Sequence, residues 1–82
     1  MANVTVRFFA RYAELAGCES TAVVVPAAAT VEDVLRRVRE TVPGAQSLPA
    51  RPLTALNLRQ VKLDAPVRDG DEVALLPPLA GG

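Results

Sequence analysis

Histidine is absent from this sequence, cysteine occurs once, and only Phe8, Phe9 and Tyr12 carry aromatic rings. Without histidine, the commonest general base and the usual metal ligand are both missing. The single Cys18 excludes an internal disulfide, and equally an iron–sulfur cluster or structural zinc held by several thiolates. Net charge is lacking too: Lys plus Arg and Asp plus Glu number nine each. No overall field therefore gathers nucleic acid or an acidic membrane around the protein. No window approaches the roughly 18 apolar residues of a membrane span, and MANVTVRFFARY has no signal-peptide core before its charges. The reading is a cytoplasmic protein with no bound cofactor or metal, no nucleic-acid or membrane partner, and few of the tools of an enzyme.

What is present suits one small domain spanning residues 1–82. Half of the residues are apolar, so the core must be built from Val, Leu and Ala. A chain of this length buries only about 60 to 65 % of its unfolded surface, and its stability is modest.

Val4, Val6 and Phe8 alternate with Thr5 and Arg7, the period of a strand with one buried face, and predict a first strand over 3–9. ARYAELAG then reads as a short helix closed by Gly17. ESTAVVVP, from Glu19, is β-branched and predicts a second strand halted by Pro26. Thr30 opens TVEDVLRRVRETVPG with Asp33 three residues on, a variant of the capping box. Val31, Val34, Leu35, Val38 and Val42 share one face of this main helix, which Pro43-Gly44 ends. Residues 45–52 read as a loop, 53–56 as a strand, Asn57 as a turn, 61–63 as a strand, Asp69-Gly70 as a tight turn, and 72–76 as the last strand. The order predicts an α+β fold, a mixed sheet of about five strands with the main helix across one face. VALL lacks alternation, which places the last strand inside the sheet.

After that strand come PPLAGG. Pro77 and Pro78 donate no hydrogen bonds and fix φ, so pairing stops and residues 77–82 leave as an extended tail of about 20 Å. A main-chain carboxylate on Gly82 is ionised at neutral pH and is a poor electrophile. Adenylated at the α-phosphate of ATP by another protein, it becomes a mixed anhydride open to sulfur, nitrogen or oxygen nucleophiles. Gly81 and Gly82 suit such a carrier end because backbone without Cβ passes where a side chain would not. Threading the tail costs about 1 to 2 kcal/mol per ordered residue, so the body must bind the partner as well. Leu53, Leu76, Pro77, Pro78, Leu79 and Ala80 are the candidate contacts.

VTVRFFARYAELAG at 4–17, TVEDVLRRV at 30–38, ALN at 55–57 and above all DGDEVALLPPLAGG at 69–82 resemble the small subunit of molybdopterin synthase, the MoaD type, among the ubiquitin-like sulfur carriers of the MoaD/ThiS family. The resemblance covers nearly the whole chain and implies a β-grasp fold. It further implies that a ubiquitin-activating-type enzyme of the MoeB type spends ATP to adenylate Gly82, and that a persulfide sulfur donor converts the adenylate to a thiocarboxylate. The tail then enters a MoaE-type large subunit, which holds the catalytic side chains and passes the sulfur to cyclic pyranopterin monophosphate to build the molybdopterin dithiolene. Two small subunits and a large-subunit dimer make the implied heterotetramer. Leu75-Leu76 departs from members that carry aromatic residues there. The neighbouring readings are a thiamine-pathway (ThiS-type) or cysteine-pathway carrier, and a ubiquitin-like modifier joined to lysines; length and the PPLAGG ending favour molybdopterin synthase.

Three carboxylates in DGDE at 69–72 lack the spacing of a calcium loop and read as a solvated turn. Cys18 reads as a structural or incidental thiol, since nothing in the sequence lowers its pKa. Arg36, Arg37 and Arg39 read as the wet face of the main helix.

Overall fold

A computed structural model describes residues 1–78. Its elements follow the sequence order: β1 (Ala2–Phe8), α1 (Arg11–Ala16), β2 (Ser20–Val25), α2 (Val31–Thr41), a 3-10 helix (Pro43–Ser47), β3 (Leu53–Leu56), β4 (Arg59–Val61) and β5 (Glu72–Leu76). The strands form one sheet in the order β2-β1-β5-β3-β4. β1 and β5 run parallel and the other pairs are antiparallel. This is the β-grasp arrangement, with β5 at its centre as the unbroken apolar run predicts.

Period two on β1 puts Ala2, Val4, Val6 and Phe8 into the core, and α2 lays Val31, Val34, Leu35 and Val38 against them. Val73 and Leu75 of β5, both fully buried, complete the contact. Burying each such side chain contributes about 1.5–3 kcal/mol, so this layer holds the domain together.

α2 begins where the sequence placed it. The backbone N–H of Thr30 donates to Asp33 Oδ2 at 2.9 Å, and the Asp33 N–H donates to Thr30 Oγ1 at 3.4 Å, a reciprocal capping box. The next orphan donors of the helix find backbone instead: Val31 N–H bonds Ala65 O and Glu32 N–H bonds Leu63 O, both at 2.9 Å. That use of residues 63–65 corrects the predicted strand at 61–63. The chain reverses at Asn57 and Leu58, both with positive φ, so Arg59 returns at once opposite Leu56 and pairing ends at Val61. Beyond it the chain caps α2 rather than extending the sheet.

The predicted loop at 45–52 starts inside the 3-10 helix, which packs on α1. Gly17 ends α1 at φ 78°, in the left-handed region that glycine enters without cost. The DGDE turn is built by its own acids. Asp69 Oδ1 accepts from the Asn3 N–H at 2.8 Å, and Asp71 accepts from the Arg68 N–H at 2.7 Å and from Asn57 Nδ2 at 3.0 Å. Among the described residues no group of three or more His, Cys, Asp or Glu is arranged to hold a metal, and no helix is long and apolar enough to cross a membrane.

Candidate functional site

The alternation that buries even-numbered residues of β1 sends Arg7 and Phe9 to the face of the sheet opposite α2. On β5, Val73 and Leu75 turn to the core, so Ala74 and Leu76 lie on the opposite face, where Ala74 is itself buried beneath its neighbours. Thr54 is buried on the helix side, which leaves Leu53 and Ala55 of β3 on the open side. Register then assembles rows. Leu53 pairs with Leu76, and Phe9 reaches the same level through its N–H, which donates to Leu75 O at 3.3 Å. Phe9, Leu76 and Leu53 thus form an apolar row across three strands at the end where the chain leaves the sheet. Behind it, Arg7, Ala74 and Ala55 form a second row.

Small side chains at Ala55 and Ala74 keep the centre of this face low between the larger groups around it. Arg7 lies over the Phe9 ring, 5.3 Å from its centroid, and its guanidinium is 3.9 Å from the Glu72 carboxylate. Both groups are solvent-accessible, so the ion pair contributes at most about 1 kcal/mol. The cation above an exposed ring adds about 0.5–1 kcal/mol. The arrangement does more to fix Phe9 than to stabilise the domain.

Pro77 and Pro78 follow directly. Pro77 is half-buried and Pro78 exposed, and Pro78 stands at the rim of an open groove of about 930 Å³. Tyr12, Pro49, Pro52, Leu53, Val61 and Leu63 give that groove apolar walls. Arg51 and Lys62 at its edge are balanced by Glu32 and Asp64.

Of the predicted contact residues, the structure brings Leu53, Leu76, Pro77 and Pro78 together at one end of the sheet. Leu79 and Ala80, and with them Gly81 and Gly82, lie outside the described residues. The sequence reading passed over Phe9, Arg7, Ala55 and Ala74. Phe9 carried a signal: it is out of phase with Val4, Val6 and Phe8, so a strand that buries those must expose it. Ala55 and Ala74 carried none, because only the pairing of β3 with β5 places them side by side. Cys18 is partly buried against the core, with no function suggested by its surroundings.

The whole chain has known relatives. Two proteins named molybdopterin synthase sulfur carrier subunit match along their length: that of Chlamydomonas reinhardtii is 33 % identical, covering 98 % of this chain and 99 % of the relative, and that of Escherichia coli 37 %, covering 96 % and 99 %. Among solved structures, the small archaeal modifier protein 1 of Haloferax volcanii superposes with a TM-score of 0.87 at 30 % identity, covering 96 % of this chain and all of that one. Subunit 1 in the complex of subunits 1 and 2 of the molybdopterin-converting factor from Helicobacter pylori is also similar, with a TM-score of 0.69 at 27 % identity over 98 % of this chain and 99 % of that one. Since the model of the ThiS family matches residues 6–82, with full-length relatives beside it, the chain belongs to the ThiS family.

Proposed function

We propose that this protein is the sulfur carrier subunit of a molybdopterin synthase, working in the cytoplasm. The observation that carries the proposal is the junction at Leu76–Pro78: the central strand of a rigid sheet hands the chain to two prolines beside an apolar row, in a protein whose full-length relatives bear that name. Four residues beyond Pro78 extend at most about 14 Å. Such a length is enough to reach into a partner's site from a base fixed at the sheet.

In the proposed cycle a MoeB-type activating enzyme lets the Gly82 carboxylate attack the α-phosphate of ATP, and pyrophosphate leaves. A persulfide sulfur then attacks the acyl carbonyl and AMP leaves; a second thiol on the donor cleaves the sulfur–sulfur bond, forming a disulfide and freeing the Gly82 thiocarboxylate. A large subunit of the MoaE type accepts the tail, supplies the catalytic side chains and transfers the sulfur to cyclic pyranopterin monophosphate. The row Phe9, Leu76 and Leu53, continued by Pro77, Pro78, Leu79 and Ala80, is the proposed contact with both partners. Gly81 gives the last step of the tail its slender profile. ATP is consumed by the activating enzyme and is not held by this chain. The complex of the Helicobacter pylori subunits supports a two-component assembly, and the finer form proposed is a heterotetramer around a large-subunit dimer.

Intact-mass measurement after incubation with ATP, an adenylating enzyme and a sulfur donor tests the reading. One oxygen replaced by sulfur at Gly82, followed by molybdopterin formation when the large subunit and the pterin precursor are added, is the expected result. A thiocarboxylate that the large subunit does not discharge points to the thiamine or cysteine pathway. The likeness to an archaeal modifier protein favours a second reading, attachment of the tail to lysines, which isopeptide-linked conjugates in cells would establish.

A further inference from the structure

The two edges of the sheet are defended unequally. β4 is three residues long, starts with Arg59 and is followed by Lys62. Short length and cations are the usual protection against another strand pairing there. β2 has neither. Its six residues, STAVVV, contain no charge and no proline, and its pairing with β1 runs without a bulge from Val25 to Ser20.

Hydrogen bonding shows which groups this edge offers. Thr5 and Phe9 donate to Asp71 O and Leu75 O on the β5 side, while Phe8 donates to Glu19 O on the β2 side. Even-numbered residues of β1 therefore bond to β2, and their partners in register are Thr21, Val23 and Val25. Ser20, Ala22 and Val24 turn their N–H and C=O groups outward, where no other segment among the described residues meets them. Val24 is 40 % exposed beside them.

We infer that the β2 edge is a self-association site, at which a second copy of this chain adds its own β2 antiparallel about a two-fold axis at Ala22. In that register Ala22 faces Ala22 of the second copy and Ser20 faces its Val24, each pair exchanging both backbone bonds. Small side chains meet either each other or a valine, and the three central pairs carry no charge. Glu19 lies opposite Val25 of the second copy, so the two glutamates sit at opposite ends of the ladder. The pairing is isologous and consumes both unprotected edges. The outer edges of the joined sheet are then the two guarded β4 strands, and association stops at the dimer.

The carrier face survives this union. β5 lies beyond β1 from the seam and runs antiparallel to β2 through its parallel partner β1. Two antiparallel β2 strands thus send the two Pro78 residues to opposite ends, each beside its own open row.

Sedimentation equilibrium of the full chain from micromolar to millimolar concentration tests the inference, with amide exchange measured across the same range. The expected result is a monomer–dimer equilibrium in which the amides of Ser20, Ala22 and Val24 gain protection as concentration rises. Ala22→Pro removes an outward N–H without touching the β1 ladder, and Val24→Lys places a charge at the seam. Each should raise the dissociation constant at least about tenfold with the thermal transition retained, while Gln60→Lys on the other edge leaves it unchanged. A chain monomeric at millimolar concentration, with those amides unprotected throughout, overturns the inference. So does a dimer that survives both β2 substitutions.

Discussion

Asp33 does two jobs with one carboxylate. It accepts from the Thr30 N–H and from the Thr30 hydroxyl, and Arg36 stands 3.3 Å away. The Thr30 backbone bond first and then its hydroxyl hold the Asp33 carboxyl below its ordinary value; burial opposes them, and the Arg36 charge adds the smallest lowering effect. A depressed folded-state value means that the unfolded chain takes up a proton first as pH falls. The stabilisation is therefore complete above the unfolded carboxylate value of about 3.9 and is lost as pH drops through the lower folded one. Asp33→Asn should lower the urea midpoint near neutral pH. Its deficit should shrink towards nothing as pH falls through the lowered value of the native carboxyl, where that group too becomes neutral. A deficit independent of pH would show that shape rather than charge holds the cap.

A second residue, one of three non-glycines with positive φ, carries backbone strain. Leu58 sits at φ 73° and is 88 % exposed at the tip of the β3–β4 turn, where a left-handed conformation costs a residue with Cβ about 1–2 kcal/mol. Asn57, at φ 50°, recovers part of its strain because its Oδ1 accepts from the Glu72 N–H at 2.9 Å and its Nδ2 donates to Asp71. Leu58 has no such compensation. Leu58→Gly, after subtracting the added entropy of the unfolded chain, should raise stability by roughly 0.5–1 kcal/mol, read from denaturant midpoints.

Among the elements, α1 and the 3-10 helix approach closely at Gly44. A Cβ on Gly44 would come 1.7 Å from Leu15 O and 2.8 Å from Leu15 C. These are main-chain atoms with no rotamer to yield, so the two elements would have to separate. Gly44→Ala should cost about 1–3 kcal/mol or more, measured as a fall in thermal midpoint. The same reasoning explains why the 3-10 helix eluded the sequence reading: AQSLPARP shows no periodicity of its own, and its conformation follows from docking against α1. α2 was the opposite case. Its cap, its apolar face and its stop were all local, and each survived folding with the boundaries they implied.

For the molecule as a whole, the proposed carrier end and the folded body should be separable. Among the described residues the core lies between Ala2 and Leu75, and deletion of Gly81-Gly82 should leave the thermal transition unchanged. The same deletion should abolish the thiocarboxylate product in the mass assay. If the truncated chain still gained sulfur at a C-terminal carboxylate, the glycine pair would have no special part in the chemistry. In the proposed cycle the rows Phe9–Leu76–Leu53 and Arg7–Ala74–Ala55 belong to the folded body and are the surface proposed to meet the partner.

Local chemistry in the sequence was enough to determine the strand periodicities, the capping box at Thr30, the central place of β5 and the release of the chain at Pro77-Pro78, since each rests on neighbours within a few residues. Only tertiary structure decided that residues 63–65 cap α2 instead of pairing, that Phe9 joins Leu76 and Leu53, and that β2 lies unpaired at an edge. These depend on strand order and register, which are set by packing and backbone hydrogen bonds between segments far apart in the chain.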